Sequence, residues 1–159
     1  MKKISVITPI NAPPDRCFDL ARSVDVHCLS AGGTKEEAVA GRTSGLLEMG
    51  EEVTWRGRHF GITQDLTSAI TAFDPPHYFQ DRMVRGAFRF LEHDHHFVPD
   101  GSGGTTMIDE LRFAAPFGPL GWIAERLFLA RYLTGFLVER NRVVKELAES
   151  DMWTTYIND

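Results

Sequence analysis

From residue 120 to residue 149 the sequence keeps one helical pattern for about eight turns, a helix of some 45 Å that any fold of this chain must accommodate. Leu120, Ile123, Leu127, Ala130, Leu133, Leu137, Val144 and Ala148 recur at helical spacing, and only Gly135 weakens the run. Upstream, from 35 to 115, the period is two instead. Val53 and Trp55 alternate with Thr54 and Arg56, which predicts one wet and one buried face. His59-Phe60-Gly61 predicts a tight turn into a strand over 62–73, which Asp74-Pro75-Pro76 ends. Further strands are expected over 78–84, over 87–98 with a hinge at Gly86, and over 105–114 after the turn at Pro99-Asp100 and Gly101-Ser102-Gly103-Gly104. A short strand over 35–40 precedes them, and the glycine-containing stretch 41–50 reads as a loop.

The N-terminal part completes the order. Ile4, Val6 and Thr8 alternate with Ser5, Ile7 and Pro9 as a first strand. Asn11-Ala12-Pro13-Pro14-Asp15 then opens a helix, and a second short helical piece covers 25–29. One strand, two short helices, six strands and one long helix make an α+β chain with a seven-stranded antiparallel meander. A twisted sheet of that width curls, and the long amphipathic helix is the natural plug for its concave face. One helix cannot fill the groove, so a mainly apolar cavity is expected between the two.

The 159 residues suit one domain, read as 1–149 with a tail 150–159 that carries Trp153 and Tyr156 and either folds back or stays disordered. A formal charge of −5 and scattered basic residues argue against nucleic acid as a partner. No apolar leader and no run of 18 uncharged apolar residues is found, so membrane insertion is not expected and the protein is placed in the cytoplasm. Cys17 and Cys28 read as buried thiols.

Alternation names the residues that face the cavity. Trp55, His59, Gln64 and Leu66 come from the third and fourth strands, and Phe79, Asp81 and Met83 from the fifth. Leu91, His93 and His95 come from the sixth, and Met107, Asp109 and Leu111 from the last. On the helix Trp122, Leu129, Leu133 and Phe136 form one stripe, flanked by Phe128 and Arg131, which join the candidate ligand contacts. Polar groups in such a lining cost roughly 1–3 kcal/mol each unless paired. His93 and His95, two apart on a strand, point the same way at a separation of roughly 6–7 Å. They can form a hydrogen-bonded belt with Asp109, touch a ligand, or share a zinc ion with Asp109 as third ligand or as tautomer-fixing partner. Asp81 is either a cavity acid with a raised pKa or the partner of a nearby Arg or His. Asp94 and His96 should face solvent. The belt is preferred, and no metal or cofactor is expected. No GxSxG, P-loop, GxGxxG or HExxH motif supports other chemistry.

This order of elements resembles the helix-grip fold of the START / Bet v 1-like (SRPBCC) superfamily over nearly the whole chain. Particular stretches sharpen the likeness to its bacterial polyketide cyclase/dehydrase-like and CalC-related branch: Gly45-Leu46-Leu47-Glu48-Met49-Gly50-Glu51-Glu52-Val53-Thr54-Trp55, then Phe88-Arg89-Phe90-Leu91-Glu92-His93-Asp94-His95-His96-Phe97, then Pro116-Phe117-Gly118-Pro119-Leu120-Gly121. The superfamily includes lipid and hormone carriers, polyketide aromatase/cyclases and proteins that sequester enediyne antibiotics. The resemblance implies a cavity for a small hydrophobic or aromatic molecule, without implying a reaction. The alternative is an aromatase/cyclase- or hydrolase-type enzyme using His93 or His95 with Asp109 or Asp81 as general acid and base. A third reading gives the aromatic tail to a protein partner, with a homodimer left open.

Overall fold

The computed structural model of the protein describes residues 1–157. The strands are β1 (Lys2–Ile10), β2 (Glu37–Gly41), β3 (Glu52–His59), β4 (Ile62–Asp74), β5 (Tyr78–Arg85), β6 (Phe90–Pro99) and β7 (Thr105–Ala114). They form one antiparallel sheet in the order β1-β7-β6-β5-β4-β3-β2. Six strands follow one another as a meander, and β1 closes on the far side of β7. The helices are α1 (Pro14–Ala21), α2 (Val24–Ser30), α3 (Gly118–Ala124) and α4 (Ala130–Ala148). This is the helix-grip α+β architecture, with α4 lying across the concave face.

Local chemistry explains why the elements begin where they do. Pro14 occupies the first turn of α1 beside Asp15, where a missing amide hydrogen costs nothing and a carboxylate meets the positive end of the helix. The Ser23 hydroxyl caps α2 by accepting the Val26 amide at 3.2 Å. Phe18 of α1 anchors one core, its ring within 5.5 Å of Phe73 and 5.4 Å of both Phe79 and Phe97. Phe113, Leu111 and Leu137 centre a second cluster nearer the start of α4.

The long helical run is continuous but not uniform. Between α3 and α4, Glu125–Leu129 winds as a π turn, which inserts one residue into the α-helical repeat. That insertion rotates everything upstream by about 100° relative to α4. Leu120, Trp122, Ile123, Leu127 and Phe128, expected to pack toward the sheet, are therefore exposed. Glu125 turns inward instead, its carboxylate accepting the Ala115 amide at 2.7 Å. Gly121 is required at this corner, because a Cβ there would lie 2.0 Å from the Pro116 carbonyl oxygen.

Two further expectations are corrected. Strand β6 starts at Phe90, and 86–89 form a bend beside the cavity mouth. Asp94 lies on the outer face as alternation requires, yet it is buried. Tyr78 Oη donates to its Oδ1 at 2.5 Å, Gln80 Nε2 donates to the same atom at 2.8 Å, and Arg112 Nη2 donates to Oδ2 at 2.6 Å. Glu92 beside it is clasped by Arg82 and Arg112. These long side chains lie across three strands and exclude water from the carboxylates. His96 stacks half-buried on Tyr78, with ring centroids 4.9 Å apart.

The segment after α4 turns back on the core. A 3-10 turn, Asp151–Thr155, places Trp153 under the Arg16 guanidinium at 4.3 Å, and Ile157 is buried. Its aromatic residues are thus engaged within the chain. Asn158 and Asp159, the end of the predicted tail, lie outside the described residues.

Candidate functional site

Sheet and helix do not meet along the whole groove. A cavity of about 400 Å³ remains between β3, β4, β6, β7 and the first half of α4. Trp55, Leu66, Phe88, Leu91, Leu111, Leu129, Leu133 and Phe136 make its wall mainly apolar. A smaller chamber of about 100 Å³ lies deeper, against Phe79, His95 and Arg140. The two meet at Trp55, Ser68, Phe136 and Leu137, with Asp81 and His93 reaching both.

At the inner end stands a compact ionic cluster that follows from register. Phe79 pairs with His95 and Asp81 with His93 across β5 and β6, while His95 pairs with Asp109 across β6 and β7. Directly paired residues share a face, so two imidazoles and two carboxylates converge. Each imidazole makes its shorter bond to the carboxylate diagonal from it. His93 Nε2 is 2.8 Å from Asp109 Oδ1, and His95 Nε2 is 2.7 Å from Asp81 Oδ2. The rings stack with centroids 3.7 Å apart, and Phe79 covers the other face of His95 at 4.0 Å.

Behind the cluster α4 supplies Arg140 and Asn141, both buried. Asn141 Nδ2 donates to Asp109 Oδ2 at 2.7 Å, and Arg140 Nη1 donates to Asp109 Oδ1 at 3.4 Å. Arg140 Nη2 also donates to the Ala21 carbonyl at 2.9 Å, tying the cluster to the end of α1.

The electrostatics follow from these contacts. Burial pushes the Asp109 carboxyl up, but the bond from His93, the close approach of the His95 ring and the charge of Arg140 outweigh it and hold the group well below the usual carboxylate range. Asp81 is likewise raised by burial and lowered more strongly by His95 and its charged neighbours, so it sits below its ordinary value. Of the two environments expected for Asp81, the structure shows the pairing with a nearby histidine. Burial, with His95 as a close neighbour, pushes His93 down and keeps it neutral near pH 7.

The remaining candidates separate by position. Trp55, His59, Gln64, Leu66, Leu91 and Leu111 line the main cavity, and Phe79 and His95 the inner chamber. Asp109 stands behind the histidines rather than in the wall. Met83 is half-buried against Gly86, where a Cβ would sit 2.8 Å from its sulfur, and it does not reach the cavity. Met107 is wholly buried in the Phe18 core. Phe128 is 64 % exposed, carried round to the outside by the π turn, and Arg131 is exposed because it lies two residues, about 200°, from the inward Leu133 on α4 itself.

Sequence reasoning missed His27, Glu36, Tyr132, Arg140 and Asn141. His27 stacks on Trp55 at 3.9 Å and lies 3.4 Å from Glu36. Tyr132 Oη and His59 Nδ1 share a 2.5 Å hydrogen bond across the cavity. A signal for Arg140 and Asn141 existed: they interrupt the apolar stripe between Leu137 and Val144, on the face that must meet the sheet. His27 precedes Cys28 in the chain, but burial pushes both the Cys28 and the Cys17 thiols up, away from nucleophile chemistry. At neutral pH both thiols are expected to react with iodoacetamide at least about ten-fold more slowly in the native protein than in the urea-unfolded chain. Equal rates, read by mass spectrometry of the labelled protein, would contradict this.

The sequence matches no protein-family model and no curated protein. Solved structures do match. An aromatase/cyclase, Zhui, from a Streptomyces superposes with a TM-score of 0.75 at 15% identity, covering 93% of each chain. A START superfamily protein from Mycobacterium smegmatis gives 0.69 at 11% identity, over 92% of this chain and 97% of that one. A major latex-like protein from Panax ginseng gives 0.64 at 14% identity, over 94% and 98%. Element order, sheet topology and these superpositions agree: the chain carries the helix-grip fold of the START / Bet v 1-like (SRPBCC) superfamily.

Proposed function

We propose that the protein binds one small hydrophobic or aromatic molecule in the cavity between the sheet and α4. The observation that carries this reading is the cavity itself. Its volume of about 400 Å³ falls in the size range of small-molecule sites, and its wall is mainly aromatic and aliphatic, with Asp81 and His93 at the inner end and His59, Gln64 and Tyr132 among its other polar groups. Trp55 and Phe136 offer flat faces to a ring, while Asp81 and His93 offer hydrogen bonds at the inner end. Among the described residues no helix is long and apolar enough to cross a membrane.

Native mass spectrometry of the protein purified from its own host tests the reading. A mass excess that disappears on denaturation is the expected result, and its value identifies the chemical class of the ligand. A clean apo mass, together with no binding across a panel of apolar and aromatic probes, would rule it out.

One observation favours a second reading, an enzyme of aromatase/cyclase or hydrolase type. Neutral His93 and ionised Asp81 face the same chamber, within hydrogen-bond reach of whatever fills it. On that reading His93 accepts a substrate proton. Turnover of polyketide-like substrates that is lost in His93→Gln would support it, and undiminished turnover would exclude it.

A further inference from the structure

We propose that Asp81, His93 and His95 form a site for one divalent first-row metal ion of the zinc class, with an open coordination position on the inner chamber. This goes beyond ligand binding and is independent of it.

The three residues can each offer one ligand atom, and those atoms lie within 4.8 Å of one another. Two imidazoles and a carboxylate are a donor set that suits zinc and its neighbours. Ligand atoms on a tetrahedral ion with bonds of about 2.0–2.1 Å stand roughly 3.4 Å apart. Here Asp81 Oδ2 is 2.7 Å from His95 Nε2 and 4.0 Å from His93 Nδ1, distances that bracket that value. Movements of less than about an ångström in the side chains would seat the ion.

Asp109 carries the stronger argument, because it orients both rings from behind. An ionised carboxylate only accepts, so His93 must donate from Nε2 across the 2.8 Å contact. A neutral His93 then has its lone pair on Nδ1, on the Asp81 side. His95 shows the same design unfinished. Its Nδ1 is buried without a hydrogen-bond partner, although Asp109 Oδ1 lies only 3.2 Å away. The 2.7 Å contact to Asp81 places a proton on Nε2, and a ring carrying only that proton turns its Nδ1 lone pair toward a carboxylate. A metal ion between His95 Nε2 and Asp81 moves that proton to Nδ1, where Asp109 accepts it. One buried carboxylate then holds both metal-binding imidazoles by their far nitrogens, the usual outer-shell arrangement of histidine metal sites.

Charge points the same way. Asp81 and Asp109 bring two negative charges and Arg140 one positive, so the cluster with neutral imidazoles has a net charge of −1 in a buried setting. Arg140 approaches Asp109, not Asp81, at 3.4 Å, leaving the Asp81 side for the cation. All three ligands line the inner chamber, so the remaining coordination position opens to it. Water or an oxygen of a bound ligand, such as a phenolate, carboxylate or carbonyl, would occupy that position. The rival cation is a single proton shared by the histidines, which neutralises the cluster equally well.

The test is a titration of the full chain, freed of metal by chelation, with cobalt(II) at neutral pH and no organic ligand present. Visible ligand-field bands of low-coordinate cobalt, saturating at one ion per chain and abolished by zinc, are expected. His93→Gln and Asp81→Asn should each weaken binding at least about 100-fold, and Asp109→Asn about 10- to 100-fold through loss of ring orientation. His96→Gln, on the convex face, should bind as the parent does. Should the site variants fail to fold, the parent alone decides, because zinc must raise its melting temperature relative to chelator. Absence of cobalt bands and of a zinc-dependent shift would overturn the proposal. So would binding that survives His93→Gln and Asp81→Asn in folded protein. Nitrogen NMR showing an imidazolium in a protein that takes up no metal would assign the place to a proton instead.

Discussion

Asp109→Ala is expected to destabilise the fold by about 3–5 kcal/mol, the scale of removing one partner from a buried ionic network. Asp109 is 0 % exposed and serves His93, His95, Asn141 and Arg140 together. Alanine leaves Arg140, 5 % exposed, with only the carbonyl of Ala21 and the amide oxygen of Asn141 as acceptors, a buried cation without a counter-charge. It also strands the His93 Nε2 hydrogen. Asn141 suffers less, because its Nδ2 retains Thr8 Oγ1 at 3.2 Å. Asp109→Asn keeps the shape but loses the charge, and should cost about 1.5–3 kcal/mol, the range for hydrogen bonds to charged groups. Urea unfolding measures both: the midpoint should fall with the slope unchanged. A loss below about 1 kcal/mol for Asp109→Ala would mean that the network relaxes around the gap and that Asp109 does not organise it.

Filling the cavity should abolish binding of an apolar probe. Ser68 is buried where the two chambers meet, so Ser68→Trp places an indole in the space a ligand needs. Leu133→Trp does the same from the α4 wall. Each is expected to weaken binding of N-phenylnaphthylamine by at least about 100-fold, roughly 2.7 kcal/mol. Because the new side chains enter open space, the stability cost should stay within the roughly 1–3 kcal/mol of an overpacked core. Phe128→Ala should leave the affinity unchanged, since Phe128 projects outside the cavity. Probe fluorescence on titration reads all three. Affinity retained within about three-fold in both tryptophan variants would move the binding site out of the groove.

Much of this architecture was legible in the chain. Element order, sheet class and the inward faces of β3 to β7 follow from a period of two and from turn chemistry, because a strand with one buried face must alternate. Trp55, Leu66, Leu91 and Leu111 line the cavity for that reason. Alternation assigns a side and nothing more. Asp94 is on the outer side and still dry, because Arg112 and Tyr78 reach it from neighbouring strands. Met107 is on the inner side and yet in solid core, because α1 covers that end of the groove with Phe18. Helical periodicity failed where the chain broke the period: one π turn at Glu125–Leu129 sends Trp122 and Phe128 outward, and no composition rule marks it.

For the cluster, the sequence by itself determined that His93 and His95 share a face and that Asp81 and Asp109 sit on strands able to reach them. Only the tertiary structure decided who bonds to whom. Diagonal pairing across β5, β6 and β7 gives His95 to Asp81 and His93 to Asp109, and sets Asp109 behind both rings. Arg140 and Asn141 join from more than thirty residues away because α4 crosses the sheet at that depth. A one-dimensional pattern carries the direction in which a side chain leaves its strand. Distances between strands, and the angle at which a helix crosses them, come from packing the whole core at once.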